Sequence, residues 1–395
     1  MLMNEPRTQA LMEEQQFAAL VATAPENVTY TSGYWAMSQW IRRGPQAYAV
    51  HPAAGHGAPC IIAATGAMDL VADQDPPVKE IHRYGYFVIE VDPEATLDER
   101  DARVHELSNT EDEGDPVAAL VNVLRARGLD RERIGIDEYG IPPPYLAKLR
   151  EALPKTVFVP AWEVFRQIRA IKTPEEVRRL RASAQIAEKS IAAALTVARA
   201  DVTERDLAVA FHETTIREGA LPVLACIGTG PRSALPNAQP TDRRLVPGDV
   251  IRFDVGGRYR HYRADIARIA TLGEPSAKVK RYHHAIRAGM MRAIEAMKPG
   301  ARCADIFNIA METARKEGLP HYQRNHVGHG IGLDGYDPPN LTPTSKEVLE
   351  EGMVLCVETP YYELGFAGLQ VEDTVAVGKD GPISLMATSS ELRVV

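Results

Sequence analysis

Residues 250–272, VIRFDVGGRYRHYRADIARIATL, decide how this chain is read. Two apolar runs of strand length are joined by a Gly-Gly turn region, and each carries a carboxylate where none is expected. Asp254 interrupts VIRFDVGG, and Asp265 sits beside IARIATL. A carboxylate among Val, Ile and Phe in a sheet loses its hydration at large cost unless something compensates it. The pattern recurs downstream. Glu358 interrupts GMVLCVETPYY (352–362), and Glu372 with Asp373 interrupts GLQVEDTVAV (368–377). One such case fits a salt bridge or an edge strand. Four, two in each half, call for a common positive partner.

His329 adds the nitrogen ligand, within HVGHGIGLDG (326–335), where Gly328, Gly330 and Gly332 let the backbone come close to a site. The charges then add up. Asp254, Asp265, Glu358 and Glu372 are balanced by two divalent cations, with a neutral imidazole contributing nothing. Oxygen-rich ligation with one imidazole suits manganese first, with cobalt, iron or zinc as alternatives. Such a pair of ions makes a hydrolytic centre by lowering the pKa of bound water.

Outward from these strands, the sequence repeats an architecture. Thr173-Pro174-Glu175-Glu176 reads as a helix start, with a capping residue, a proline in the first turn and a glutamate that closes a capping box. Val177, Leu180, Ala184, Ala187 and Ile191 then recur at helical spacing. Two helices (about 174–200 and 203–219) precede the first strand pair, and two more (about 277–297 and 303–318) precede the second. The expected fold class is mixed α/β, with two pseudo-symmetric αα-ββ halves packed face to face in residues 161–395. Residues 1–160 form a smaller α/β unit. In it, AYAVHP and CIIAA read as strands, DPVAALVNVLRARGL as a helix, and PENVTYTSGY as a turn at Pro25-Glu26-Asn27 followed by an extended piece. The charged stretch 91–116 is expected to run over the surface. Trp35, Trp40, Arg42 and Arg43 read either as a surface loop or as an arm reaching a partner subunit.

Bulk properties exclude other classes. A net charge of −8 argues against nucleic acid as a partner. No apolar run reaches membrane-spanning length, so no membrane segment is expected. The four cysteines, Cys60, Cys226, Cys303 and Cys356, lie far apart. They read as reduced thiols of a cytoplasmic protein.

The segments KTPEEVRRLR, DVGG…ADIAR, GHGIGLDGYD, GMVLCVETPYY and GLQVEDTV, in this order, resemble those of the pita-bread metallohydrolases. That family includes methionine aminopeptidase, aminopeptidase P, Xaa-Pro dipeptidase (prolidase) and creatinase. PENVTYTSGY resembles the accessory domain of the prolidase, aminopeptidase P and creatinase branch, so the likeness covers nearly the whole chain. It implies that Asp254 binds one metal ion, that Asp265 and Glu372 bridge, and that His329 and Glu358 bind the other. It further implies a bridging hydroxide as nucleophile, Glu358 as proton shuttle and a homodimer.

Three positions depart from the pattern. A peptidase histidine expected seven residues after His329 is Tyr336. Another, about 17 residues before Asp254, falls on Asn237. The arginine usual two residues before the last glutamate is Gln370. Tyrosine and asparagine still donate hydrogen bonds to a carbonyl. The missing arginine leaves Gln370, His326, Arg324 or Tyr361 to meet the substrate. The resemblance therefore implies hydrolysis of a small C–N bond, first as an Xaa-Pro dipeptidase acting on a dipeptide. The alternative is a non-peptide amide or amidine hydrolase on the same scaffold, as ectoine hydrolase is. A binding module without catalysis is disfavoured because all five ligands are kept.

Overall fold

The computed structural model describes residues 2–41 and 44–395. The chain divides after Arg169 into two compact units.

The first unit is built on a six-stranded sheet. Its strands run in the order Glu80–Tyr84, Cys60–Ala64, Tyr48–Pro52, Ala19–Ala22, Arg133–Ile136, Val157–Pro160. The helix Pro116–Ala126 buries Val117, Leu120, Val121 and Leu124 against this sheet's core, as their spacing requires. One expectation is corrected. PENVTYTS is not a turn and a strand but the helix Pro25–Ser32, with Pro25 in its first turn and Gly33 ending it at φ 77°. Its β-branched residues suggested a strand. Tertiary packing overrides that preference, because every residue from Asn27 to Ser32 is buried. The stretch 91–116 is largely exposed and holds the helix Glu99–Ser108, capped by Asp98. Arg42 and Arg43 of the possible arm lie outside the described residues. Trp35 and Trp40 are tied within their own unit, the Trp35 backbone to the Gln74 amide and the Trp40 indole to Thr29.

In the second unit the Thr173 capping box forms as its sequence dictates and starts the helix Pro174–Val197. Just ahead of it Lys172 forms a buried ion pair with Asp337 at 3.6 Å, tying the helix start to the segment that follows His329. The helices Glu204–Arg217, Ala277–Glu295 and Cys303–Lys316 complete two helix pairs.

Both halves contribute to one continuous sheet. Along it run Asp337–Asn340, Gly328–Gly330, Val354–Glu358, Glu372–Gly378, Ile266–Thr271, Val250–Tyr259 and Leu221–Thr229. The halves therefore join edge to edge, where Ala267 pairs with Glu372, rather than facing each other. Along this path the first half adds one strand beyond the expected pair, Leu221–Thr229, and the second adds two, Gly328–Gly330 and Asp337–Asn340. Leu221–Thr229 carries Pro222, which weakens the strand signal in the sequence. Proline is tolerated at a sheet edge, and this strand is the edge, with an irregularity between Pro222 and Leu224. Ile251, Phe253 and Val255 pack with the first helix pair, and Leu355, Val357, Val375 and Val377 with the second. Strand alternation then turns the intervening residues to the opposite face. Among the described residues no helix is long and apolar enough to cross a membrane.

Candidate metal centre

Sheet register brings the acidic residues together. Asp254 and Glu372 both stand opposite Ala267, and Glu358 stands opposite Glu372. Directly paired residues present their side chains on one face. Asp254, Glu372 and Glu358 thus share a row although 118 residues separate the first from the last. Asp265 is two positions before Ala267 and projects to the same side. His329 pairs with Cys356, two positions before Glu358, and joins that face as well.

Glycine makes this last strand possible. Gly328 lies at φ 147°, and a Cβ there would meet the Cys356 carbonyl at 2.2 Å. A Cβ on Gly330 would meet the Pro338 carbonyl at 2.4 Å. The glycines flanking His329 therefore serve close strand packing, which fixes the imidazole, rather than approach to a ligand.

His329 is buried. Its Nδ1 lies 3.1 Å from the Gly330 carbonyl, which can only accept, so the proton sits on Nδ1. The Nε2 lone pair is left 3.9 Å from Asp265 Oδ2. Ligand atoms of Asp265, His329 and Glu372 lie within 4.8 Å of one another. Asp265 Oδ1 is buried without a hydrogen-bond partner.

The electrostatics point the same way. Burial, and then repulsion from neighbouring carboxylates, pushes the Asp265 and Glu372 carboxyls well above their usual range. Burial, with Asp254 beside it, raises Glu358 to about 7. Burial raises Asp254 against the pull of Arg252. Burial lowers the His329 imidazole to about 4, leaving it neutral at pH 7. A neutral imidazole, an orphaned carboxylate oxygen and four crowded acids form a donor set that fits divalent cations.

Glu358 has a polar neighbour at each oxygen. His326 Nδ1 lies 3.2 Å from Oε1, and the Gln370 amide donates to Oε2 at 3.3 Å. Gln370 is itself engaged. Its Oε1 accepts from Arg252 Nη1 at 2.8 Å and from the Tyr362 hydroxyl at 3.0 Å. Its carbonyl oxygen is therefore already taken by two donors, and its amide faces a metal-ligand candidate. Arg252 is fully buried. It donates to the Ser233, Leu235 and Pro236 carbonyls and to Asp254 Oδ2 at 3.2 Å. It stands two positions before Asp254, as Gln370 stands two before Glu372, so a guanidinium is present in this layer but enters from the other strand. The sequence reading missed it, although an arginine between Ile251 and Phe253 is as anomalous as the aspartate that follows.

A cavity of about 530 Å³ opens over the centre. Its wall includes all five candidate ligands together with Asn237, His326, Tyr336 and Gln370. Arg324, Tyr362 and Cys226 also line it, whereas Tyr361 is turned to His321 and Glu363. The Tyr336 ring stacks on His329, with centroids 3.8 Å apart. Asn237 is exposed on the rim. All four cysteines are buried and free.

Comparison with known proteins supplies the remaining evidence. Residues 178–379 match the model of metallopeptidase family M24, and residues 6–171 match the creatinase/prolidase N-terminal domain. An Xaa-Pro dipeptidase of Pyrococcus furiosus is 33% identical over 232 residues, covering 58% of this chain and 67% of that protein. One from Lactobacillus helveticus is 28% identical over 288 residues, covering 72% and 78%. The fold is shared with an Xaa-Pro dipeptidase from Bacillus anthracis (TM-score 0.81, 21% identity, 99% of this chain and 98% of that one). It is also shared with an X-Pro aminopeptidase from Thermotoga maritima (TM-score 0.79, 22% identity, 97% and 99%).

Proposed function

This chain belongs to metallopeptidase family M24, and from that premise we propose that it is a dinuclear, manganese-dependent hydrolase of Xaa-Pro dipeptides or closely similar small amides. The observation that carries the reading is the row of Asp254, Glu372 and Glu358, with Asp265 and His329, on the floor of one polar cavity. Two divalent ions would supply Lewis acidity toward a carbonyl and an activated water.

The chain's own residues do the rest. Asp265, His329 and Glu372 would hold one ion, with Glu358 beside them, and Asp254 would hold the second with the two bridging acids. Glu358 would carry a proton between the attacking side and the leaving nitrogen, and the Gln370 hydrogen bond orients its carboxylate beside His326. Asn237 and Tyr336, across the cavity, offer hydrogen bonds to the carbonyl oxygen as its charge develops. Arg252 holds Asp254 by its Oδ2 oxygen. Four buried free cysteines fit a reducing, cytoplasmic setting, and a homodimer belongs to the same reading.

One observation favours the second reading, a non-peptide amide as substrate. The ring stacked on His329 is the phenol of Tyr336, where the resemblance leads one to expect a peptidase histidine. The test of both readings is a hydrolysis screen of manganese-loaded protein. It would compare Xaa-Pro dipeptides, longer peptides and small non-peptide amides, with elemental analysis of the same sample. Turnover of Xaa-Pro dipeptides with about two ions per chain is expected. Turnover confined to non-peptide amides would select the second reading, and failure to retain any metal would refute both.

A further inference from the structure

Two arginines near the centre have opposite bonding states, Arg324 on the cavity wall and Arg252 fully buried behind it. Arg252 is saturated by three backbone carbonyls, Asp254 and Gln370. Arg324 is not. Its Nε is buried, yet among the described residues it finds no hydrogen-bond partner. No carboxylate among them lies within ion-pairing distance of its guanidinium. Its neighbour is an aromatic face, with the guanidinium carbon 5.7 Å from the centre of the Tyr362 ring. Tyr362 is fixed in turn by its hydroxyl bond to Gln370.

Charge bookkeeping sharpens the contrast. Two divalent ions would cancel the four carboxylates, and Arg252 is already saturated by its own partners. Arg324 then remains as an uncompensated, half-buried cation beside Glu358. A guanidinium with a desolvated, unpaired N–H is costly to keep unless a ligand completes it. Its planar fork matches a carboxylate, which takes two parallel hydrogen bonds.

We propose that Arg324, resting on the Tyr362 ring, is the specificity-determining residue of this cavity and receives the free carboxylate of the substrate. This rests on the hydrolase reading above and narrows it to anionic substrates. Gln370 is excluded from the role because its amide is committed to Arg252, Tyr362 and Glu358. Tyr361 is excluded because it does not line the cavity.

The test uses full-length, manganese-loaded protein with Arg324→Gln and Arg324→Lys. KM and kcat would be measured for an Xaa-Pro dipeptide and for its C-terminal amide. Calorimetry would compare binding of N-acetylproline with that of N-acetylprolinamide. A charge-assisted bond of the usual strength corresponds to about 10- to 100-fold. Arg324→Gln should raise KM for the free acid by that factor, leave kcat within a few-fold and leave the amide unaffected. Arg324→Lys should lie between. Wild type should bind the acid at least tenfold more tightly than the amide, and Arg324→Gln should erase the preference. If no Xaa-Pro dipeptide is turned over, the dipeptidase reading fails while the calorimetry still judges the arginine. Equal binding of acid and amide by wild type, or a preference that survives in Arg324→Gln, overturns the proposal.

Discussion

Stripping metal from this protein should give its stability an inverted pH dependence over the weakly acidic range. Glu358 has a folded pKa of about 7 without metal, against about 4.3 in an unfolded chain. The folded state therefore holds the proton more tightly, and between these two values it binds more protons than the unfolded state. Stability must fall as pH rises through that window. The contribution is fully present below the unfolded pKa and is lost once pH passes about 7. The difference corresponds to about 4 kcal/mol for this one carboxyl. Asp265 and Glu372 are raised well above their usual range for the same reason, so they act in the same direction. Denaturant melts of chelator-treated protein at pH 5, 6, 7 and 8 would measure this, each repeated with manganese. The stripped protein should lose stability steadily from pH 5 to 8, and manganese should remove most of the slope. Glu358→Gln has no proton to lose at this position, so its slope should be shallower by about one proton. A stripped protein as stable at pH 8 as at pH 5, with Glu358→Gln behaving identically, would show that the acids are not held as an uncompensated cluster.

Two further outcomes are expected. Glu358→Gln should reduce turnover of the metal-loaded enzyme by about 10²–10⁴, the usual range for loss of an acid–base group; near-normal kcat would remove Glu358 from the proton path. Gln370→Arg, which installs the residue the family resemblance leads one to expect, should not lower KM for dipeptides. It would place a second guanidinium against Arg252, now 2.8 Å from the Gln370 oxygen. Two unit charges at about 4 Å cost about 4 kcal/mol at an effective dielectric of 20, so manganese affinity should drop at least tenfold by calorimetry. A gain in dipeptide affinity would instead show that position 370 faces the substrate.

The sequence by itself determined which residues are anomalous. Asp254, Glu358 and Glu372 stand out because burying a carboxylate in an apolar strand leaves a local mark that needs no neighbour to be read. The capping box at Thr173, the αα-ββ repetition and His329 among its glycines were legible for the same reason, since caps, periodicity and backbone freedom are properties of a few adjacent residues. Only the tertiary structure decided which anomalies face each other. The helix at Pro25–Ser32 and the edge strand Leu221–Thr229 depend on what they pack against, so their local signals misled or were silent. Gln370 looked available for substrate until pairing through Ala267 set Arg252 beside it, 118 residues away in the chain. Arg324 looked like one of several candidates until the cavity wall left it unpaired and Tyr361 turned away. Whether a charge is spent or available depends on partners brought close by strand register, and register is fixed by the burial of the whole sheet rather than by any short segment.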